Sequence, residues 1–134
     1  MDGASNRALY TPISANEMNL TLIGAVIRNP FAGKAITAKA PVDTGITLTA
    51  VPRRAADEPQ LPVIGKRRAT TAKEVTELDE RIGIAEVTGR KAYTHMLTSN
   101  DVDTVLIGTT TLETLGLEVN PTTGKLKETT TYLL

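Results

Sequence analysis

Cysteine is absent from this 134-residue chain, tryptophan is absent, and there is one histidine and one phenylalanine. Without cysteine there are no disulfides, no thiol nucleophile and no thiolate metal site. The single histidine, His95, sits in a strand-like segment and leaves nothing from which to assemble a metal cluster. With aromatics at 3%, bases of a nucleic acid have few platforms to stack on, and the core must be aliphatic. Charge of neither sign prevails: 15 Lys and Arg stand against 15 Asp and Glu, so net charge calls for no polyanion or anionic membrane. No apolar run approaches the ~18 residues of a membrane span. The first seventeen residues lack the apolar centre of a secretory signal. These absences together give the expectation of a soluble, cytoplasmic protein without cofactor or metal.

What is present reads as one mainly β domain. Residues 1–17 are small and polar and form a loose N-terminal arm, with the folded domain expected over 18–134. The aliphatic stretch Met18 to Ile27, the turn Asn29-Pro30-Phe31-Ala32-Gly33 and the return from Lys34 to Val42 predict a first hairpin. Further strands are expected at Ile46 to Val51, Val63 to Ala72, Val75 to Val87 and Lys91 to Leu97. Thr88-Gly89 is a hairpin turn between the last two. Arg53 to Glu58 opens after Pro52 and predicts two helical turns. Thr104 to Ile107 reads as a short buried strand, and Thr109 to Leu115 as a helix closed by Gly116. Leu117 to Val119 and Lys125 to Leu134 complete the set around the turn Asn120 to Gly124.

The chemistry concentrates at Asp43-Thr44-Gly45, which ends one strand-like run and begins another. By itself an Asp-Thr-Gly is an ordinary turn between strands. A carboxylate there is presented at a surface, Thr44 brings a stiff hydroxyl, and Gly45 brings an unobstructed N–H. About sixty residues on, Val105-Leu106-Ile107 ends in Gly108 and runs into a helix.

These two elements, with their strands and spacing, resemble the retropepsin-like aspartic peptidases, closest to the small single-domain microbial members. The resemblance extends from about Met18 to the C-terminus. It implies a closed acid-protease barrel with one short C-terminal helix, acting as a homodimeric aspartic endopeptidase on a peptide or unfolded protein. Peptide hydrolysis by carboxylates needs two of them, and this chain offers one such turn, so the second Asp43 comes from a second copy. Thr44 and Gly45 would support the catalytic turn. Ile46, Ile107 and the flap residues Ala72, Lys73 and Glu74 would touch substrate. The tail Tyr132-Leu133-Leu134 would interleave with its counterpart in the dimer.

Four departures from the family pattern stand out. Ile46 replaces the small Ala or Ser that follows the Gly. Thr47 and Thr109 stand where viral members often carry an Asp–Arg pair. The flap around Thr71 to Glu74 has no glycine at its tip. Ile46 and this flap keep a second reading open, a retropepsin-like fold that binds or assembles without cutting. Arg53, Arg54, Lys66, Arg67 and Arg68 form the one basic concentration, expected to be a solvated face rather than a nucleic-acid site.

Overall fold

The computed structural model describes residues 21–71, 73–130 and 133. The expected arm (1–17), residues 18–20, and Ala72, Tyr132 and Leu134 lie outside the described residues; Leu133 of the tail is exposed.

Strands β1 (Leu22–Arg28) and β2 (Ala35–Pro41) form the first hairpin. Alternation puts Ile23, Ala25 and Ile27 of β1, and Ile36, Ala38 and Ala40 of β2, into the core. Their turn is held by buried Asn29. Its Oδ1 accepts the N–H groups of Phe31 and Ala32 at 2.7 and 3.0 Å, and its Nδ2 donates to the carbonyls of Pro59 and Gln60. After β3 (Thr49–Pro52), the helix α1 (Arg53–Asp57) starts behind Pro52 as expected. Then come β4 (Val63–Thr70), the long β5 (Val75–Val87) and β6 (Arg90–Ser99). Thr88 and Gly89 turn β5 into β6 with φ of 50° and 81°, the positive pair that a two-residue hairpin requires. Helix α2 (Thr109–Leu115) ends at Gly116 in the left-handed conformation, and β7 (Leu117–Val119) pairs with β8 (Leu126–Glu128).

The main sheet runs β2-β1-β5-β6-β3, with β4 also on β5. The half of β5 nearest β6's turn carries β1, while its first half carries β4, so β4 and the start of β5 make a separate hairpin arm. Among the described strands this path stays open, and the closed barrel that was expected is not seen. The segment Leu106–Ile107 instead makes a single bridge to each end, Ile107 to Val42 and Leu106 to Ala50.

The core is aliphatic, as the lack of aromatics requires: Ile27, Ile36, Val51, Val87, Met96, Val105 and Ile107 are all under 2% exposed. Several expected strands are shorter than the sequence suggests: β4 stops at Thr70, and Thr104 to Ile107 forms single bridges at Leu106 and Ile107 rather than a strand. Ile46, Thr47 and Leu48 stay irregular, because two of their carbonyls cap another element (below). The last strand ends at Glu128 among the described residues.

Candidate active site

Asp43 stands where β2 has just ended, and three sets of contacts fix it. Its backbone N–H donates to the carbonyl of Ile107 at 2.9 Å, and Ile107 N–H donates to the carbonyl of Pro41 at 2.9 Å. Its side-chain Oδ1 accepts the Gly45 N–H at 2.8 Å, and its carbonyl accepts the Ile46 N–H at 3.3 Å. The carboxylate is thus oriented by the turn it belongs to. A Cβ on Gly45 would lie 3.1 Å from Oδ1, tight against the group it helps to hold. Asp43 is half-buried, and Thr44 and Gly45 are exposed.

The segment after the turn is held from the other side. Helix α2 begins with N–H groups that have no partner inside the helix. Those of Thr109 and Thr110 donate to the carbonyls of Ile46 and Thr47 at 3.0 and 2.9 Å. The Thr109 hydroxyl adds a bond to Ile46 at 3.3 Å. Thr109 thus binds the loop through both its N–H and its hydroxyl. Beneath lies a buried chain of hydroxyls. Thr49 Oγ1 accepts the Gly108 N–H at 3.1 Å and meets Thr111 Oγ1 at 2.6 Å, which in turn meets Thr94 Oγ1 at 3.0 Å. All three threonines are buried, and their hydroxyls are satisfied by one another and the backbone. Nothing in the sequence singled them out, since threonine recurs throughout the chain.

A cleft of about 710 Å3 opens at Gly45 and Ile46 and runs along Thr47, Leu48, Ala50, Leu78, Leu97 and Leu106. Asp43 does not line it, but its carboxylate is tied to Gly45, which does. Ile46 is at the wall. Ile107 is fully buried and faces the core, and its neighbour Leu106 takes the place beside the cleft. The other wall is the hairpin arm, through Arg67, Arg68, Ala69, Thr70 and Thr71.

That arm has the position of a flap. Its tip turns without glycine: Thr71 N–H donates to the Glu74 carbonyl at 2.8 Å, and the Thr71 hydroxyl accepts from Lys73 and Glu74 N–H. Lys73 and Glu74 are exposed and do not line the cleft. Lys73 Nζ reaches Asp101 Oδ1 at 3.4 Å, joining the tip to the loop at the cleft's far end.

The expected basic face is largely paired. Lys66 bonds Asp79 at 2.8 Å, Arg53 approaches the same carboxylate at 3.7 Å, and Arg67 binds Glu80 through Nε and Nη2 at 2.9 and 3.1 Å. Glu80 also bonds His95 Nδ1, which gives the single histidine a partner on β5. The hydrogen bond from Lys66 holds the Asp79 carboxyl below the usual carboxylate range, and Arg67, then His95, do the same for Glu80. The same pairs raise Lys66 and Arg67. Carboxyl groups lowered in the folded state stabilise it above their unfolded value and lose that contribution as pH falls through the folded one. Backbone amides of β4 should therefore lose protection against hydrogen exchange, relative to β6, between about pH 5 and pH 3. Glu80→Gln should remove part of that acid dependence. Equal protection ratios at both pH values would refute the pairing as the arm's anchor.

Among the described residues, no group of three or more His, Asp or Glu is placed to hold a metal ion, and no helix is long and apolar enough to cross a membrane. No protein-family model matches the chain, and no curated protein does. Solved structures do. The solution structure of the simian foamy virus (mac) protease aligns at 23% identity with a TM-score of 0.51, over 69% of this chain and 91% of that one. The foamy viral protease-reverse transcriptase in complex with an RNA/DNA hybrid aligns at 20% identity with a TM-score of 0.49, over 69% of this chain. The chain spans only 12% of the length of that larger protein. By its likeness to the simian foamy virus (mac) protease structure, the fold of this chain is retropepsin-like.

Proposed function

We propose that this chain is an aspartic endopeptidase whose two catalytic carboxylates are the Asp43 side chains of two copies in a homodimer. The observation that carries the reading is the Asp43 turn: a carboxylate oriented by its bond from Gly45 N–H, Gly45 itself lining a cleft whose other wall is the hairpin arm. The peptidase domain would extend over 18–134, with 1–17 as an arm. The lack of cysteine suits a cytoplasmic setting, and the substrate in this reading is a peptide or unfolded protein.

On the two-fold axis the two carboxylates are too close for both to ionise, and they share one proton, as the paired aspartates of aspartic proteases do. The ionised one takes a proton from the attacking water. The protonated one donates to the carbonyl oxygen as the carbon becomes tetrahedral, and the roles reverse as the C–N bond breaks. Thr44, exposed beside the carboxylate, would meet its counterpart across the axis.

The test joins rate to assembly. Specific activity on an unfolded protein should rise with concentration in step with the dimer fraction from sedimentation, peak in acid, and be indifferent to chelators. Activity carried by a monomer, or lost with chelator, would overturn the mechanism. Ile46 at the cleft wall and the glycine-free tip favour a second reading, a module that holds peptides without cutting. Tight peptide binding by a dimer that cleaves nothing would establish that one.

A further inference from the structure

Beyond Glu80 the hairpin arm stands on its own. β5 pairs with β6 only from Glu80 onward, opposite Leu97, so Val75 to Asp79 pair with β4 alone among the described strands. The β4 ladder is interrupted at the same level: Val63 faces Arg81 and Gly65 faces Glu80, which leaves Ile64 over as a bulge. A bulge bends its strand, and a hairpin of two strands is marginal without a third. Every residue of β4 except Ala69 is exposed, so little burial opposes bending there. The arm can therefore swing at the level of Gly65 and Glu80, while the bond from Glu80 to His95 ties that level to β6. The tip is different, closed on itself by the bonds of Thr71 to Lys73 and Glu74. From it Lys73 Nζ reaches Asp101 Oδ1 at 3.4 Å. Asp101 is held by its own N–H, which donates to Oγ of the buried Ser99 at 3.1 Å. It lines the cleft and Lys73 does not, so this bond closes one end of the cleft without filling it.

We propose that Lys73 and Asp101 are an electrostatic latch holding the arm over the cleft, with its hinge at Gly65 and Glu80, and that peptides enter and leave while the latch is open. An exposed ion pair changes an equilibrium a few-fold, enough to set how often the arm opens and too little to lock it. The latch is remade over a bound peptide, so it governs the rates of exchange and leaves affinity nearly alone. This rests on the cleft being the peptide site of the proposed function, though not on cleavage taking place there.

Two measurements test it, the first without any ligand. The chain has no cysteine, so nitroxide labels attach only where one is introduced. Labels at Val75→Cys on the arm and Lys91→Cys on β6, both exposed positions, report the distance from arm to body by pulsed electron paramagnetic resonance. Labelled protein is diluted with unlabelled so that a dimer carries one labelled copy. The distance distribution should broaden in Lys73→Gln and in Asp101→Asn, and narrow again when Lys73→Asp is combined with Asp101→Lys. The second measurement is stopped-flow binding of fluorescent aliphatic peptides to the Asp43→Asn protein. Association and dissociation should both quicken about 2–5-fold in Lys73→Gln, with Kd changing less than about twofold. Raising salt from roughly 50 to 300 mM should quicken both rates in the protein that keeps Lys73 and leave Lys73→Gln unmoved. A distribution that ignores both single variants, a reversed pair that behaves like them, or a faster dissociation alone would overturn the latch. Such a result beside a dimer that cleaves sinks this inference and spares the peptidase reading. No binding by any peptide sinks the cleft reading and the latch together. A latch that behaves as expected on a protein that never cuts sinks the peptidase reading alone.

Discussion

On the proposed mechanism, Asp43→Asn should abolish peptide cleavage and leave the fold and any dimer as they were. The amide is the same size, and its Oδ1 still accepts the Gly45 N–H that orients the side chain. The backbone bonds to Ile107 and Ile46 involve no side-chain atom and are untouched. What would be lost is the proton shared by the proposed pair of carboxyl groups, and with it both the base and the acid. Acid–base catalysis by a positioned side chain contributes on the order of 10²–10⁴-fold, and here one substitution removes both roles. Cleavage of an unfolded protein, measured beside a thermal melt and sedimentation, separates chemistry from folding. Asp43→Ala would be less informative, since it also removes the acceptor for Gly45. If Asp43→Asn cuts at the wild-type rate, the catalytic group lies elsewhere.

The parts of this fold that are short-range in origin were legible in the sequence. Val75–Val87 alternates and stops at Thr88-Gly89, whose positive φ pair needs only those two residues. Helix α2 runs from Thr109 to Leu115 because Gly116 supplies its left-handed cap. The Asp43 turn was found because its three residues carry their own chemistry. What failed depends on contacts about sixty residues apart. Ile46 to Leu48 has strand composition, yet the carbonyls of Ile46 and Thr47 are taken by the free N–H groups of α2. Val105, Leu106 and Ile107 are all apolar, so no polar alternation says which one faces the cleft. The bridge from Leu106 to Ala50 decides it, turning Leu106 to the cleft and Val105 and Ile107 to the core. The Thr49–Thr111–Thr94 hydroxyls lie under the site by the same long-range register and gave no local sign.

Gly108→Ala should unfold or grossly weaken the protein, although nothing about the local backbone forbids alanine. Gly108 has φ −89° and ψ 170°, which any residue adopts, so the glycine is there for space. A Cβ would lie 2.7 Å from the Leu48 carbonyl carbon, 2.7 Å from the Thr47 oxygen and 2.8 Å from the Leu48 oxygen. These are backbone atoms, and they cannot swing aside as a side chain would. Moving them pulls the Thr47 carbonyl from Thr110 N–H, and the Ile46 carbonyl beside it from Thr109. The displacement then passes along the chain to the Asp43 turn and to the Gly108 N–H bond with Thr49. Overpacking against fixed backbone of this kind costs about 3 kcal/mol or more. For a domain of this length that lowers the melting temperature by about 10 °C. Gly24→Ala is the control, since Gly24 is exposed on β1 and an added Cβ there meets nothing within 4 Å. Activity should fall with stability in Gly108→Ala and hold in Gly24→Ala. A Gly108→Ala protein that melts with the wild type would mean that the loop 46–48 does not press on the crossing segment, and that the Asp43 turn is not supported from that side.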